Sequence, residues 1–422
     1  MISTESLPAG PAGDGNRTAY RSFLVAFVGA SALLLAAIAA TNVVMDPYGA
    51  WQTSLFPGGY HGAASRIGKG ELLHRYSGST VFIGNSRTRI GVRPDAPGIS
   101  SSRACNLGLS AAGYRELWPA LDRAIEQPTV REIVLFIDYQ IFRENGGVFD
   151  DFVLSRFNGD RSPLDRHCDL LFNGRTLGHS GFKLISILKG APPEFTPDGF
   201  SIPERLAARA GFQRDRATKL LQHTFGVATR TGASRYAPEA VEMLRPLIRR
   251  CRDKSIRLAV AINPTHATLY EGIWQMNQWE DYKRWLRDLT QLIDEESHGM
   301  ESSRLITLWD FAGFHPFTTE PFFSADVKAD SEWFWEPSHF KCGLGDRMLE
   351  RIYGLSSADP TFGVRLASAT IDAHLEKVVA DRHHWLVSHA ADAQCVEDLV
   401  RSAQGRPGIR LANGGVSDSD RQ

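Results

Sequence analysis

The chain has 422 residues, of which 43% are hydrophobic, and its formal net charge is -1. This length and apolar content suit one large or two modest folded cores and exclude a disordered chain. The balanced charge and a pI near 6.9 provide no broad basic field, so nucleic acid is excluded as a partner.

The first feature along the chain is an apolar segment near the N-terminus. Residues 1–21 are rich in Gly, Pro and Ser, which predicts a disordered cytoplasmic tail. Residues 22–45 carry no charge and are long enough, as a helix, to cross a hydrocarbon core of roughly 30 Å. Arg17 and Arg21 precede this segment and Asp46 follows it, so the positive-inside rule predicts a single-pass anchor in a bacterial inner membrane, with the globular part in the periplasm or outside. A cleaved signal sequence is the alternative.

After the anchor, apolar runs of strand length alternate with segments of helical period. This alternation predicts an α/β domain over residues 46–354, with a parallel sheet and helices on both faces. The predicted strands are 80–83, 103–107, 131–137, 257–262 and 304–308. The predicted helices are 114–126, 238–254, 278–295 and 344–353.

Two regions depart from this alternation. Residues 144–235, between the third and fourth strands, are too many for a simple crossover and predict an inserted subdomain. Residues 355–422 form a C-terminal extension, with a short amphipathic stretch at 371–379 and a polar, Gly-rich end that we expect to be disordered.

The first predicted strand leads directly into Ser86, which places this serine at the carboxyl edge of the sheet, where open α/β folds bind their ligands. A serine hydroxyl is a poor nucleophile until a neighbouring base takes its proton. His339 is the candidate base, since Glu336 lies three residues before it and can orient its ring. A G-x-S or E-x-x-H pattern alone is common by chance. The hypothesis of a Ser-His site rests on their order, with Ser86 after the first strand and His339 before the final helix.

Three short segments also resemble a known family. Gly84–Ser86, Asn106–Ala111 and Glu336–His339 resemble, in order, the conserved blocks of the SGNH (GDSL-like) hydrolase superfamily, over about residues 78–354. The segments Leu135–Tyr139 and Leu308–Phe311, with the anchor, are similar to those of membrane-anchored bacterial SGNH-like proteins related to polysaccharide O-acetylation factors.

The resemblance implies a fold, a site and a reaction. The fold would be a flavodoxin-like three-layer αβα sandwich. Ser86 would be the nucleophile, His339 the general base and Glu336 the orienting acid. The implied oxyanion donors are the backbone N–H groups of Ser86 and of Gly108 or Ala111, and Gln140 is the candidate amide donor in place of the family's Asn. The implied reaction is extracytoplasmic transfer or removal of an acetyl group on a cell-envelope or exported polysaccharide through an acyl-Ser86 intermediate, without a cofactor, with an integral-membrane acyl donor as a possible partner. The alternative is a catalytically silent domain that binds a glycan or scaffolds an envelope assembly.

The chain departs from the family pattern in its third block. The superfamily places Gly-x-Asn-Asp there and uses the Asn as an oxyanion donor, whereas this chain has Asp138, whose charge would repel an oxyanion. The family also usually has Asp in place of Glu336 and of Asn85, and often Gly in place of Ala111.

Other polar residues carry weaker predictions. Asp138, His266 and Asp310 follow strands on the same edge and are candidate substrate contacts, with a structural role as the alternative for His266 and Asp310. No metal site is predicted, because the histidines at 383, 384 and 389 lack a supporting carboxylate or cysteine pattern. The five cysteines have no CxxC or CxxH spacing.

Overall fold

The structure is a computed structural model of the chain. It describes residues 14–53, 55–96, 98–99, 104–144, 147–203, 213–230, 235–299, 305–323 and 331–405. Most of the predicted cytoplasmic tail and the Gly-rich C-terminal end lie outside these residues.

A six-stranded, mostly parallel sheet forms the centre of the fold. Its order is β2-β1-β3-β4-β5-β8, and only β8 runs antiparallel. The strands of this sheet are β1 (Thr80–Gly84), β2 (Ala104–Gly108), β3 (Glu132–Ile137), β4 (Arg257–Ile262), β5 (Ile306–Asp310) and β8 (Val364–Arg365). The predicted α/β domain with a mostly parallel sheet is therefore confirmed. The first residue of the predicted strand 103–107 and that of 304–308 lie outside the described residues, and β8 was not predicted.

The parallel strands are buried on both faces because their side chains alternate between two apolar clusters. In β1, Val81 and Ile83 enter one cluster while Phe82 enters the other. The neighbouring strand β3 divides in the same way, with Leu135 on the first face and Phe136 on the second. This alternation explains why these strands are continuous apolar runs in the sequence.

Side chains from several helices enter the two apolar clusters on the faces of the sheet. The helices of the described residues are α1 (Asp14–Met45), α2 (Arg66–Arg75), α3 (Ser86–Gly91), α4 (Tyr114–Glu126), α5 (Asp150–Val153), α6 (Pro163–Phe172), α7 (Gly174–Leu188), α8 (Gln213–Arg230), α9 (Pro238–Glu242), α10 (Arg245–Asp253), α11 (Ala267–Gln275), α12 (Trp279–Glu296), α13 (Cys342–Tyr353), α14 (Ile371–Ser388) and α15 (Ala390–Gln404). The predicted helix 238–254 is divided into α9 and α10, because Pro246 near the start of α10 cannot donate to a preceding turn. The amphipathic stretch at 371–379 is the start of a longer helix.

The apolar N-terminal segment forms one long helix. Within α1, Arg17–Met45 is long and apolar enough to cross a membrane, and its most apolar window is not buried against the rest of the protein. Residues 144–235, where an inserted subdomain is predicted, contain α5 to α8. Its helices α6 and α7 pack against α1.

Candidate active site

Ser86 lies on a strand-to-helix turn at the carboxyl edge of the sheet. Strand β1 ends at Gly84 and helix α3 begins at Ser86, with Asn85 as the N-cap residue, whose side chain accepts a hydrogen bond from the Arg87 N–H at 3.0 Å. A side chain at Gly84 would place its Cβ only 2.0 Å from Thr88 Oγ1, so this tight turn requires glycine. The turn leaves Ser86 half-buried at the sheet edge.

The base and the acid lie on one β-hairpin. Strands β6 (Phe334–Glu336) and β7 (His339–Phe340) are antiparallel, and Glu336 pairs directly with His339. Cross-strand neighbours have their Cβ atoms about 5 Å apart, so the carboxylate can reach the imidazole. A hairpin thus brings together the two residues that sequence analysis paired through their three-residue spacing.

The three side chains form a continuous hydrogen-bonded line. His339 Nε2 lies 2.8 Å from Ser86 Oγ, and His339 Nδ1 hydrogen-bonds to Glu336 Oε1. Ser338 holds the carboxylate in place, because its N–H donates to Glu336 Oε2 at 2.8 Å and its hydroxyl donates to Oε1 at 3.0 Å. The arrangement is that of a serine, a base that can accept its proton, and a carboxylate that orients the base.

The environment of Glu336 keeps this carboxyl group ionised at neutral pH. Burial acts to raise its pKa, but the charge interaction and hydrogen bond with His339, together with the two hydrogen bonds from Ser338, outweigh burial and leave the pKa below its usual value. An ionised Glu336 accepts a hydrogen bond from the Nδ1–H of His339. The Nε2 lone pair of the neutral ring then faces the Ser86 hydroxyl.

Two glycines bring the backbones that carry Ser86 and His339 into contact. A Cβ at Gly91, the last residue of α3, would lie 2.2 Å from the Phe340 ring, and a Cβ at Gly345 would lie 1.9 Å from the Gly91 carbonyl oxygen. Because Phe340 follows His339 directly, a side chain at Gly91 would collide with the Phe340 ring and disturb the separation of nucleophile and base.

The predicted oxyanion donors differ in how available they are. The Ser86 N–H is the first in α3 and has no acceptor within its own helix. The Gly108 N–H is already engaged, since it donates to Asn106 Oδ1 at 2.8 Å, so this structure does not offer it to a substrate. Ala111 is exposed in the turn after β2 with a φ of 53°, a left-handed conformation that favours glycine. Gln140 is exposed, and its side-chain role stays a prediction.

The charge of Asp138 is offset by a residue that sequence analysis missed. Arg87 Nη1 lies 3.3 Å from Asp138 Oδ2, which also accepts a hydrogen bond from Asn85 Nδ2 at 2.6 Å. Arg87 Nη1 also donates to Thr265 Oγ1 at 3.0 Å. The repulsion expected between Asp138 and an oxyanion is therefore reduced. The position of Arg87 directly after the nucleophile was the available signal.

His266 does not reach the place where a substrate would lie. Its side chain is fully buried, with Nε2 2.7 Å from the Glu320 carbonyl oxygen and Nδ1 2.9 Å from Thr268 Oγ1. Burial lowers its pKa to about 3, so the ring is neutral. Its backbone N–H donates to the Pro337 carbonyl at 3.2 Å, in the turn of the β6–β7 hairpin. Burial and these local hydrogen bonds favour the structural alternative for His266 over the predicted substrate contact.

Asp310 is also structural. It is 2% exposed, and its Oδ2 lies 2.9 Å from Nε2 of His374 on α14. Its other oxygen accepts a hydrogen bond from the Ala312 N–H at 2.9 Å. Asp310 Oδ2 thus connects β5 to α14, while Oδ1 holds the chain just after β5, and these contacts favour the structural alternative for Asp310.

Neither metal ligation nor similarity to known proteins adds an assignment. Within the ranges that the structure describes, no group of three or more His, Cys, Asp or Glu side chains could hold a metal ion. A scan against protein-family models found no match for the chain, and a search of curated proteins found none. The site is therefore defined by the geometry of Ser86, His339 and Glu336.

Proposed function

We propose that this chain is a membrane-anchored, extracytoplasmic enzyme of the SGNH type. It would transfer or remove acyl groups of a cell-envelope or exported polysaccharide through an acyl-Ser86 intermediate. The observation that carries the proposal is the 2.8 Å contact between Ser86 Oγ and His339 Nε2, with Glu336 on the other ring nitrogen. A serine needs such a base to become nucleophilic.

In the first half of the proposed reaction, Ser86 Oγ attacks the carbonyl carbon of an acyl ester. Its proton passes to His339 Nε2, and Glu336 stabilises the imidazolium that forms. When the tetrahedral intermediate collapses, the bond to the leaving alkoxide breaks and the alkoxide takes the proton from His339. The backbone N–H groups of Ser86 and Ala111 are the proposed donors to the oxyanion.

The second half decides whether the enzyme is an esterase or a transferase. Attack on the acyl-Ser86 by water releases a free acid, and attack by a sugar hydroxyl moves the acyl group to that sugar. In both cases His339 removes the proton from the attacking hydroxyl and returns it to Ser86. One site serves both directions, so the acceptor determines the outcome.

The proposed location follows from α1. Its length and composition suit a membrane span, and Arg17 and Arg21 at its start favour a cytoplasmic N-terminus. The Ser86 site would then lie on the outer side of the inner membrane, beside any integral-membrane protein that supplies acyl groups.

The test is release of a chromophore from an aryl acetate by the full chain in detergent. We expect Ser86→Ala and His339→Gln each to lower the rate by about 10³-fold or more. Ser388→Ala, at an exposed serine on α14, is the matched control and should retain the parent rate. Equal rates in the parent protein and both site variants, with and without an oligosaccharide acceptor, would contradict the proposal.

The second candidate is a catalytically silent glycan-binding or scaffold domain. The engagement of the Gly108 N–H by Asn106 favours it, since one expected oxyanion donor is lost. This second function would be identified if the parent protein binds a glycan but releases no chromophore from the aryl acetate, with or without an oligosaccharide acceptor.

A further inference from the structure

A cavity of about 40 Å³ is lined in part by Arg87, the residue that follows the proposed nucleophile, and by polar groups without partners. Arg87 and Asp138 form part of its wall, as do Asn263 and Gln278. Asn263 is fully buried and neither atom of its amide has a hydrogen-bond partner; Gln278 is 3% exposed and its Nε2 is also unpaired. Buried polar groups without partners are costly, so a polar ligand at this place would stabilise them.

The charge of the cavity wall favours an anion. Arg87 and Asp138 offset one another at 3.3 Å, whereas Arg143 has no carboxylate within 4 Å among the described residues. Arg143 donates to Gln278 Oε1 at 3.3 Å, but its Nε is buried and unpaired. Burial lowers the pKa of this guanidinium, and the charge of Asp138 offsets this effect only in part. The wall thus holds two guanidinium groups against one carboxylate, and three of its donor nitrogens, Arg143 Nε, Asn263 Nδ2 and Gln278 Nε2, are unpaired.

We propose that this cavity binds a carboxylate group. Guanidinium and amide N–H groups are the donors that recognise carboxylates in proteins. A volume of about 40 Å³ accommodates about three water-sized bodies, which matches the three heavy atoms of a carboxylate and is small for a phosphate. The carboxylate could belong to a sugar of the polysaccharide or to a free acid. Because Arg87 of the Ser86 turn lines the cavity, it is a substrate subsite only if the proposed function holds, whereas the binding itself does not depend on that function.

The test is calorimetric titration of the full chain in detergent with D-glucuronate, D-glucose and acetate. We expect glucuronate to bind, glucose to bind at least tenfold more weakly, and Arg143→Gln to weaken glucuronate by about ten- to a hundredfold. Asn263→Asp, which adds a competing negative charge, should have the same effect. Arg401→Gln, at an exposed arginine on α15, is the matched control.

The ligand arms distinguish the source of the carboxylate. Tighter binding of glucuronate than of acetate would assign the site to an acidic sugar, and equal binding of the two, both lost in Arg143→Gln, would assign it to a free acid. Glucuronate that binds no better than glucose, or that binds equally to the parent, Arg143→Gln and Asn263→Asp proteins, would overturn the proposal. Binding that persists without any aryl acetate turnover would reject the proposed function and retain the carboxylate site.

A second inference concerns α7, a helix that buries polar side chains and exposes apolar ones. Its buried side chains are polar: Thr176, Ser180 and Lys183. Its exposed large side chains are apolar: Leu177, Phe182, Leu184, Ile185 and Leu188, the last being 77% exposed. A helix at the surface of a soluble domain would have the opposite pattern, so this face indicates an apolar surrounding.

Hydrogen bonds connect this helix to the end of α1. Ser180 Oγ donates to Asn42 Oδ1 at 3.0 Å, and Lys183 Nζ donates to the Met45 carbonyl oxygen. Residues 22–45 as a helix exceed a 30 Å hydrocarbon core by about one turn. If α1 spans the bilayer as proposed, Asn42 and Met45 therefore lie near the headgroups, and α7 lies at the same level.

We infer that α7 lies in the outer membrane–water interface, with its apolar face about 5–10 Å below the headgroup level. We infer that lipid covers the apolar face of α7. This helix packs against α1, the proposed membrane span, and both helices expose large apolar side chains. This inference rests on the proposed anchor and is independent of the chemistry at Ser86.

The test is a nitroxide depth measurement on the full chain in liposomes, after Cys168, Cys342 and Cys395 have been replaced by serine. Leu184→Cys and Leu188→Cys labels should be accessible to oxygen and protected from a soluble nickel complex. Val387→Cys, at an 81% exposed residue of α14, is the control and should be accessible to nickel. Nickel accessibility of all three labels would overturn the inference, as would protection of the α7 labels that appears only when a second membrane protein is added.

Discussion

Two histidines at the β6–β7 hairpin have similar sequence settings and opposite environments. The backbone N–H of His266 donates to the Pro337 carbonyl in the turn of the hairpin, while His339 is part of the hairpin itself. Both ring nitrogens of His266 have hydrogen-bond partners, Thr268 Oγ1 and the Glu320 carbonyl oxygen, and burial keeps this ring neutral. The side chain of His339 is 26% exposed and lies between a carboxylate and a hydroxyl.

The difference between these histidines lies in access and in the partner on each nitrogen. A base must have a free lone pair directed at the group that it deprotonates, and it must be able to carry a proton briefly. His339 satisfies both conditions because Glu336 stabilises its protonated form. His266 satisfies neither, since protonation within its apolar surroundings is disfavoured.

The largest expected effect comes from replacing each of these two histidines by glutamine and comparing the two variants. His339→Gln should lower aryl acetate turnover by about 10³-fold or more while leaving the melting temperature near that of the parent protein. His266→Gln should instead lower the free energy of unfolding by roughly 1–3 kcal/mol, because it disrupts buried hydrogen bonds, and keep turnover of the folded protein within about tenfold of the parent. Turnover assays and denaturant titrations of both variants check this. The comparison fails if His266→Gln loses as much activity as His339→Gln.

Glu336→Gln sharpens the comparison by changing only the partner of Nδ1. The amide can donate to this nitrogen and favours the wrong tautomer, so we expect turnover to fall by about 10²- to 10⁴-fold. Glu332→Gln, at an exposed position of the same segment, is the control and should show no loss. Steady-state kinetics measure the effect, and unchanged turnover in Glu336→Gln would show that this carboxylate does not orient His339.

The smallest effect is a dependence of stability on pH. The pKa of His266 is lowered from 6.5 to about 3 in the folded protein, so between these values the unfolded chain binds a proton that the folded chain does not. The free energy of unfolding should therefore fall as the pH decreases from about 6.5 towards 3, with a slope from this residue of roughly 1.4 kcal/mol per pH unit. Denaturant titrations between pH 4.5 and 7 should show a shallower slope for His266→Gln. Equal slopes in the two proteins would contradict the buried, neutral state of His266.

The sequence predicts the parallel strands and the line of Ser86, His339 and Glu336 well, because strand patterning and strand ends are local properties. It does not separate His266 and Asp310 from the site, because burial and the partners Glu320 and His374 depend on tertiary packing. The engagement of Gly108 by Asn106 likewise depends on a side-chain conformation that no spacing reveals.

The surroundings of the proposed site were harder to predict. Arg143, Asn263 and Gln278 are far apart in the chain and meet only in the cavity wall. The reversed polarity of α7 is visible in its sequence as an apolar face, but which face is buried is decided by its contact with α1. Sequence reasoning therefore identifies reacting groups more readily than the environment that gives them a substrate.

The backbone contact between Gly91 and Gly345 has a practical consequence for engineering this protein. Gly91 is in contact with the Phe340 ring of the hairpin and with Gly345 of α13, so α3 is held close to both. A single added methyl group at Gly91 would move α3 away from the hairpin, and one at Gly345 would move α3 away from α13. Libraries built to raise stability should thus leave these two glycines and Phe340 unchanged.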